Sequence, residues 1–281
     1  MKLQVQCELN FQVHSYATSI VSFLALKAAR QKVLEETLLV PADIRVEELD
    51  PLSEAHRFVR LEVRKETSFT LSYTATVETF YEQIHNIQEV APVLVAQMPA
   101  AVIPYLLPSR YCQSDHLLRF AQHRFGRIEN DFLKVRAITD WIYANVEYRS
   151  GSSNPQTSAL DTITHQAGVC RDFAHLAIAL CRALTIPARY FTCYAFKLSP
   201  PDFHACFEAC LGGKWIVFDA TRLAPLNGLV KIAHGRDAAD VAIATSFGDI
   251  YLSSLQVSCQ ALEDDFVPFQ PGSFNLSGLA Y

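Results

Sequence analysis

The chain has 281 residues, of which 50% are hydrophobic and 19% are charged, so its composition is that of a globular protein with room for sizeable cores. The formal net charge of −5, with scattered Lys and Arg, argues against a nucleic-acid partner and against an anionic membrane. The N-terminus alternates polar and apolar residues where a signal peptide would be continuously apolar, and this predicts a cytoplasmic protein.

The first part of the chain has the pattern of β-strands. Period-two alternation with β-branched and aromatic residues runs through "LQVQCELNFQV", "RFVRLEV" and "SFTLSYTATVETF". A linker with four prolines, "APVLVAQMPAAVIPYLLPSR", follows. These features predict a β-rich, sandwich-like N-terminal domain over residues 1–100.

Helical patterns begin after the linker. We expect helices in "SDHLLRFAQHRF" and in "NDFLKVRAITDWIYANV", the second capped by Asn130, and a short helix near 158–166. From about 188 the pattern returns to strands, and one more strand candidate, "IYLSSLQVSC", lies in the tail. The chain is therefore predicted to be α+β, with a core over 101–248 and a C-terminal strand and tail, 249–281, packed on the body.

A helix that is apolar nearly all round begins within "HQAGVCRDFAHLAIALCRAL", residues 165–184. Cys170 lies at its first turn, just after Gly168. A cysteine at a helix N-terminus feels the positive end of the macrodipole, which favours thiolate over thiol. Cys170 is thus a candidate nucleophile, although free cysteines are most often packing residues.

The eight cysteines show no C-x-x-C spacing, and we expect them to be reduced. Cys206 and Cys210 are four apart on a predicted strand, roughly 13 Å at about 3.3 Å per residue. That separation is too large for two ligands of one tetrahedral zinc, so no metal site is predicted.

The stretch "FHACFEACLGGKWIVFDAT" predicts a hairpin that turns at Gly212-Gly213. A two-residue loop pairs Cys206 with Asp219 and places His204 on the same face, diagonal to Asp219 and within reach of it. Each of His204 and Asp219 could instead be a satisfied structural residue. Together with Cys170 they could form a catalytic triad, in which a thiolate attacks, an imidazole exchanges the proton and a carboxylate orients the imidazole.

The sequence resembles the transglutaminase-like superfamily of papain-type cysteine enzymes, and its bacterial stand-alone members in particular. The resemblance lies in "GVCRDFAHLAIALCRALTIPARY" and "FHACFEACLGGKWIVFDATRLAP", with similar flanking stretches "YLLPSRYCQSD" and "GRDAADVAIATSFG". It implies a papain-like transglutaminase core in which a helix cluster packs on an antiparallel sheet.

The resemblance also implies roles for individual residues. Cys170 would be the nucleophile, His204 the general base and acid, and Asp219 the orienting carboxylate. The backbone N–H of Cys170 and the side chain of Gln166 are candidates for binding the oxyanion.

The family pattern has Trp where this chain has Cys206, on the same face as His204. The smaller side chain should leave space in the wall of the site. We expect a bulkier acyl group to fill it, the alternative being that Tyr194 swings in.

The expected reaction is acyl transfer from a peptide or protein amide substrate, most simply hydrolysis as in a cysteine protease or amidase. The alternatives are an amine-acceptor transglutaminase, a non-catalytic binding protein that retains the fold, and an adaptor centred on the β-rich domain. No cofactor is needed, no calcium loop is present, and the sequence leaves the oligomeric state open.

Overall fold

The computed structural model describes residues 1–49, 55–86, 90–263, 265–269 and 277–281. Within these residues lie two six-stranded antiparallel sheets, a short parallel strand pair and four α-helices. The α+β fold class predicted from the sequence is confirmed, with the β-rich part ahead of the helical core. No helix among the described residues is long and apolar enough to cross a membrane.

The first sheet is built around one long strand. Strand β1 pairs with β5 through its first half, with β4 through its second half and with β13 along its other edge. Its alternating apolar residues are buried, as period two predicts for a strand with one face on a core. The sheet contains β1 (Lys2–Val21), β2 (Gln31–Leu39), β3 (Arg45–Glu48), β4 (Val59–Val63), β5 (Thr67–Thr79) and β13 (Ala244–Ala261).

The four helices are α1 (Ser114–Phe125), α2 (Asp131–Asn145), α3 (Ala159–His165) and α4 (Cys170–Ala183). Asn130 caps α2 as predicted, since its side chain accepts a hydrogen bond from the backbone N–H of Leu133 at 3.0 Å. Helix α4 is the centre of the cluster. It contacts the other three helices on some sides and strands β9 and β10 on another, which explains why it is apolar nearly all round.

The second sheet has the order β12-β9-β10-β11-β14-β6. Its hairpin β10–β11 turns at Gly212 and Gly213, whose φ angles of 57° and 79° suit the two-residue turn that glycine permits. Leu211 pairs with Lys214 and Phe207 with Phe218, so the predicted register is confirmed. The strands are β6 (Glu82–Ile84), β9 (Ala188–Ala195), β10 (Phe203–Leu211), β11 (Lys214–Phe218), β12 (Leu229–Gly235) and β14 (Gly278–Ala280), and the parallel pair is β7 (Glu147–Tyr148) with β8 (Ala167–Gly168).

The C-terminal part of the chain joins both sheets. The predicted tail strand is present as β13, which extends the first sheet, while β14 lies between β11 and β6 in the second. Leu279 of β14 is fully buried in a second apolar cluster, on the face of the second sheet opposite to α4. The boundaries 1–100, 101–248 and 249–281 stay a prediction.

Replacing Leu279 by Ala should lower the free energy of unfolding by about 2–5 kcal/mol, because a buried leucine loses its contacts and leaves a cavity. Leu262→Ala, at a site that is 51% exposed, is the matched control and should change stability by less than about 0.5 kcal/mol. Urea unfolding followed by tryptophan fluorescence measures both. If Leu279→Ala lowered the free energy of unfolding no more than Leu262→Ala does, the tail would not be part of the core.

Candidate active site

Cys170 is the first residue of α4 and is only partly buried. The helix start is fixed by Asp172, whose carboxylate accepts the backbone N–H of Val169 at 2.8 Å and the hydroxyl of Ser153 at 3.0 Å. A side chain at Gly168 would meet the Cβ of Asp172 at 2.7 Å, so glycine is required there by close approach. The backbone N–H groups of Asp172 and Phe173 donate to the carbonyl of Val169 at 2.9 and 3.1 Å, which closes the first turn immediately after Cys170.

His204 and Asp219 lie side by side, as the hairpin register predicts. Nε2 of His204 is 3.0 Å from Oδ2 of Asp219, and the two residues are only 1% and 6% exposed. The other oxygen of Asp219 accepts the backbone N–H of Thr221 at 2.8 Å and its hydroxyl at 2.7 Å. Because an ionised carboxylate can only accept, Nε2 carries a proton and the ring is held in one orientation.

The charges of this pair stabilise each other. Burial by itself favours the neutral imidazole, but the negative charge and the hydrogen bond of Asp219 raise the pKa of His204 well above its ordinary value. For Asp219, burial would raise the pKa, but the His204 charge and the hydrogen bonds from His204 and Thr221 lower it. The carboxylate is therefore ionised at neutral pH, and the imidazole readily holds a second proton.

The thiol of Cys170 is the next hydrogen-bonding partner of the same imidazole, and this contact also raises the pKa of His204. Since Nε2 faces Asp219, the nitrogen available to the thiol is Nδ1. The structure thus brings together Cys170, His204 and Asp219, three of the four residues singled out from the sequence, in one chain of contacts.

Tyr148 is a site residue that the sequence did not reveal. The parallel pair β7–β8 places it directly beside Gly168, and its hydroxyl contacts both the backbone N–H and the side chain of Cys170. Tyr148 is 46% exposed, and its partial burial together with the neighbouring thiol raises its pKa to about 12, so it is a protonated donor at neutral pH. A two-residue parallel pair has no periodic signature, so no sequence signal could have found it.

Gln166 lies less favourably for the role expected of it. It ends α3 in a left-handed conformation with φ of 51°, its backbone carbonyl accepts the N–H of Glu147 at 2.8 Å, and its residue is exposed. Its part in binding an oxyanion remains a prediction. The hydroxyl of Tyr148, in contrast, contacts the N–H of Cys170 directly.

The open space expected beside Cys206 is absent. Cys206 is 1% exposed and lies in the second apolar cluster with Phe191, Val217 and Leu279, so the tail closes this side. The expectation that a bulky acyl group fills a gap here was wrong, because the sequence gives no sign that β14 returns to this face. Tyr194 does not close it either, since its hydroxyl donates to the carbonyl of Phe23 at 2.6 Å on the opposite face.

One group of described residues could hold a metal ion. The ligand atoms of His204, Cys206 and Asp219 all lie within 4.8 Å of one another. The pair Cys206 and Cys210, considered from the sequence, is not part of this group.

Comparison with known proteins agrees with this architecture. Residues 119–220 match the family model of the transglutaminase-like superfamily, and residues 1–101 match that of the bacterial transglutaminase N-terminal domain. A crystal structure of a candidate cysteine protease from Cytophaga hutchinsonii is 57% identical, covers 100% of this chain and 97% of its own, and superimposes with a TM-score of 0.97.

Two curated relatives are similar over part of their length. An uncharacterised protein of Mycobacterium leprae is 27% identical over 145 residues, which are 49% of this chain and 52% of that protein. An uncharacterised protein of Mycobacterium tuberculosis is 30% identical over 151 residues, 48% of this chain and 47% of that protein. The chain spans about half the length of these relatives.

The N-terminal β-rich region and the following core each match a transglutaminase family model, and a solved structure is similar over the full length. The chain therefore belongs to the transglutaminase-like superfamily.

Proposed function

We propose that the protein is a cysteine-dependent acyl-transfer enzyme that hydrolyses peptide or amide bonds, with Cys170, His204 and Asp219 as its catalytic residues. The observation that carries the proposal is the chain of contacts from the Cys170 thiol through the His204 ring to the buried Asp219 carboxylate. Asp219 accepts three hydrogen bonds while remaining almost closed to water, which fits an orienting role.

The catalytic cycle follows from these positions. His204 takes the thiol proton of Cys170, and the resulting thiolate at the helix N-terminus attacks the carbonyl carbon of the substrate. Asp219 stabilises the imidazolium and holds its ring with Nδ1 towards the sulfur. The imidazolium then protonates the leaving amine, and a water molecule, deprotonated by the same ring, releases the acyl group from the sulfur.

The oxyanion of the tetrahedral intermediate needs donors that are already in place. The backbone N–H of Cys170 and the hydroxyl of Tyr148 lie together next to the sulfur and suit this task. We assign Tyr148 as the side-chain donor, a role considered for Gln166 from the sequence.

Water is proposed as the acyl acceptor because the full-length relative from Cytophaga hutchinsonii is described as a candidate cysteine protease. The substrate is accordingly a peptide or protein amide, and we place the reaction in the cytoplasm. An amine acceptor would make the protein a transglutaminase that forms the same acyl-enzyme. The two reactions differ only in the step that releases the acyl group from the enzyme, to water or to an amine.

Activity-based labelling tests the proposal. The full chain should form a covalent acyl-enzyme with peptide-amide probes, peptide mapping should locate the label on Cys170, and Cys170→Ala should abolish it. Cys210→Ala is the control, since burial raises the pKa of that thiol and it lies outside the site. Labelling that survives in Cys170→Ala would exclude this nucleophile, and labelling by glutamine donors with amine incorporation would favour the transglutaminase.

Asp219→Asn should reduce turnover by a factor on the order of 10²–10⁴ while leaving the fold intact, because the imidazole loses its orientation and the partner of its charge. Since the charge of Asp219 helps to raise the pKa of His204, its removal lowers that pKa. The alkaline limb of kcat/KM, where the imidazolium loses its proton, should therefore move to lower pH. Turnover within a factor of about two of wild type would point to a different orienting group.

Tyr148→Phe should lower kcat by roughly 10²–10³ with a smaller effect on KM, because the donor acts mainly on the transition state. Gln166→Gly is the comparison variant, as glycine accepts the left-handed backbone without strain. It should retain nearly full activity. The reverse pattern, a large loss with Gln166→Gly and a small one with Tyr148→Phe, would return the oxyanion role to Gln166.

A further inference from the structure

The catalytic imidazole and carboxylate share their sheet face with two thiols. Cys206 follows His204 by two residues on β10, and Cys193 of β9 pairs with His204 across the strands. The sulfur of Cys193 is 3.7 Å from the carbonyl oxygen of His204, and the two thiols are hydrogen-bonding partners of each other. Four potential ligands therefore lie on one small patch of the second sheet.

The spacing of these groups suits one tetrahedral ion. The ligand atoms of His204, Cys206 and Asp219 lie within 4.8 Å of one another, and Nε2 of His204 is 3.0 Å from Oδ2 of Asp219. Around a tetrahedral zinc with bonds of about 2.0–2.3 Å, ligand atoms are roughly 3.3–3.8 Å apart. Small side-chain movements would bring the three groups to these distances, with Cys193 adjacent as a fourth ligand.

The charges and ligand types select the class of ion. One imidazole nitrogen, one carboxylate oxygen and one or two sulfurs form a borderline-soft set that suits Zn²⁺ and does not suit Mg²⁺ or Ca²⁺. Cys206 and Asp219 are almost completely buried, and a dication would compensate the thiolate and the carboxylate there. Thr221 already holds the second oxygen of Asp219, which is the outer support that metal ligands normally have.

A small cavity touches one edge of the site. Its volume is about 80 Å³, and it is lined by Asp219 together with Val217 and Leu279 of the surrounding apolar cluster. An ion entering through it would meet the carboxylate first.

We propose that a thiophilic divalent cation such as Zn²⁺ binds to Cys206, His204 and Asp219, with Cys193 as the fourth ligand, and thereby inhibits the enzyme reversibly. On binding, the ion displaces the proton on Nε2 and the thiol protons, which leave to solvent, and the broken Nε2–Oδ2 hydrogen bond is replaced by two metal bonds. The imidazole can then no longer exchange a proton with Cys170. This site differs from a structural zinc at Cys206 and Cys210, and metal binding itself does not rest on the proposed function.

The test uses the full chain, reduced and stripped of metal, in a Cys170→Ser background so that the catalytic thiol cannot bind the ion. Co²⁺ is the spectroscopic probe, because tetrahedral thiolate coordination gives intense visible bands and a sulfur-to-metal charge-transfer band. Zn²⁺ is then added in competition. We expect tetrahedral thiolate spectra that Zn²⁺ displaces stoichiometrically.

Adding Cys206→Ser should weaken Co²⁺ binding by a factor on the order of 10² or more, since a ligand is lost. Cys210→Ser, four residues along the same strand, is the matched control and should bind as the parent does. X-ray absorption of the zinc-loaded parent, which needs no further variant, should show sulfur at about 2.3 Å together with nitrogen or oxygen at about 2.0 Å.

Three results would overturn the site: cobalt spectra without thiolate bands in the Cys170→Ser parent, unchanged affinity in Cys206→Ser, or a zinc shell without sulfur. None of these measurements requires turnover. Failure of the metal site is therefore distinguishable from failure of the proposed acyl-transfer activity.

Discussion

Burial of an ionised carboxylate beside an imidazole is the constraint on which the rest of the site depends. Asp219 is 6% exposed, and a charge in that position is stable only with partners. His204 and Thr221 provide these partners. The register of the hairpin β10–β11 must therefore be kept without a slip of even one residue. A slip would move His204 to the face of Ala205 and Phe207, against α4, and leave Asp219 buried without its counter-charge.

The thiol is positioned by a different constraint, the burial of α4. Because this helix packs against three helices and a sheet, its axis has little freedom, and its first residue must emerge at one point. Asp172 fixes that point further by accepting the N–H of Val169 within the space that Gly168 leaves. The candidate site is thus supported by rigid elements, and the sulfur of Cys170 lies at the partly exposed end of a packed helix.

The two faces of the second sheet serve different purposes. One face packs on α4 and carries the main core, whereas the other carries His204, Asp219 and Cys206 under the cluster sealed by Leu279. Low polarity around the His204–Asp219 pair strengthens its electrostatic interaction. The same enclosure places two thiols, Cys193 and Cys206, next to the pair, and Cys206 completes a group of three potential metal ligands with His204 and Asp219.

Local sequence signals determined the elements whose information lies within a few residues. Alternation and a Gly-Gly turn set the register of β10–β11 and hence the meeting of His204 with Asp219, and Asn130 marked the start of α2. The Asp219–Thr221 contact also spans only two residues, and a carboxylate accepting the N–H two residues on is a known local turn, so it could have been found.

Tertiary structure alone decided which distant segments complete the site. Tyr148 reaches Cys170 through a two-residue parallel pair, and Leu279 closes the space beside Cys206 through a three-residue strand. Such short strands have no hydrophobic period to read, and their partners lie tens of residues away. Their positions follow from packing of the whole chain, so local sequence placed His204 next to Asp219 while the walls around the pair were set by long-range contacts.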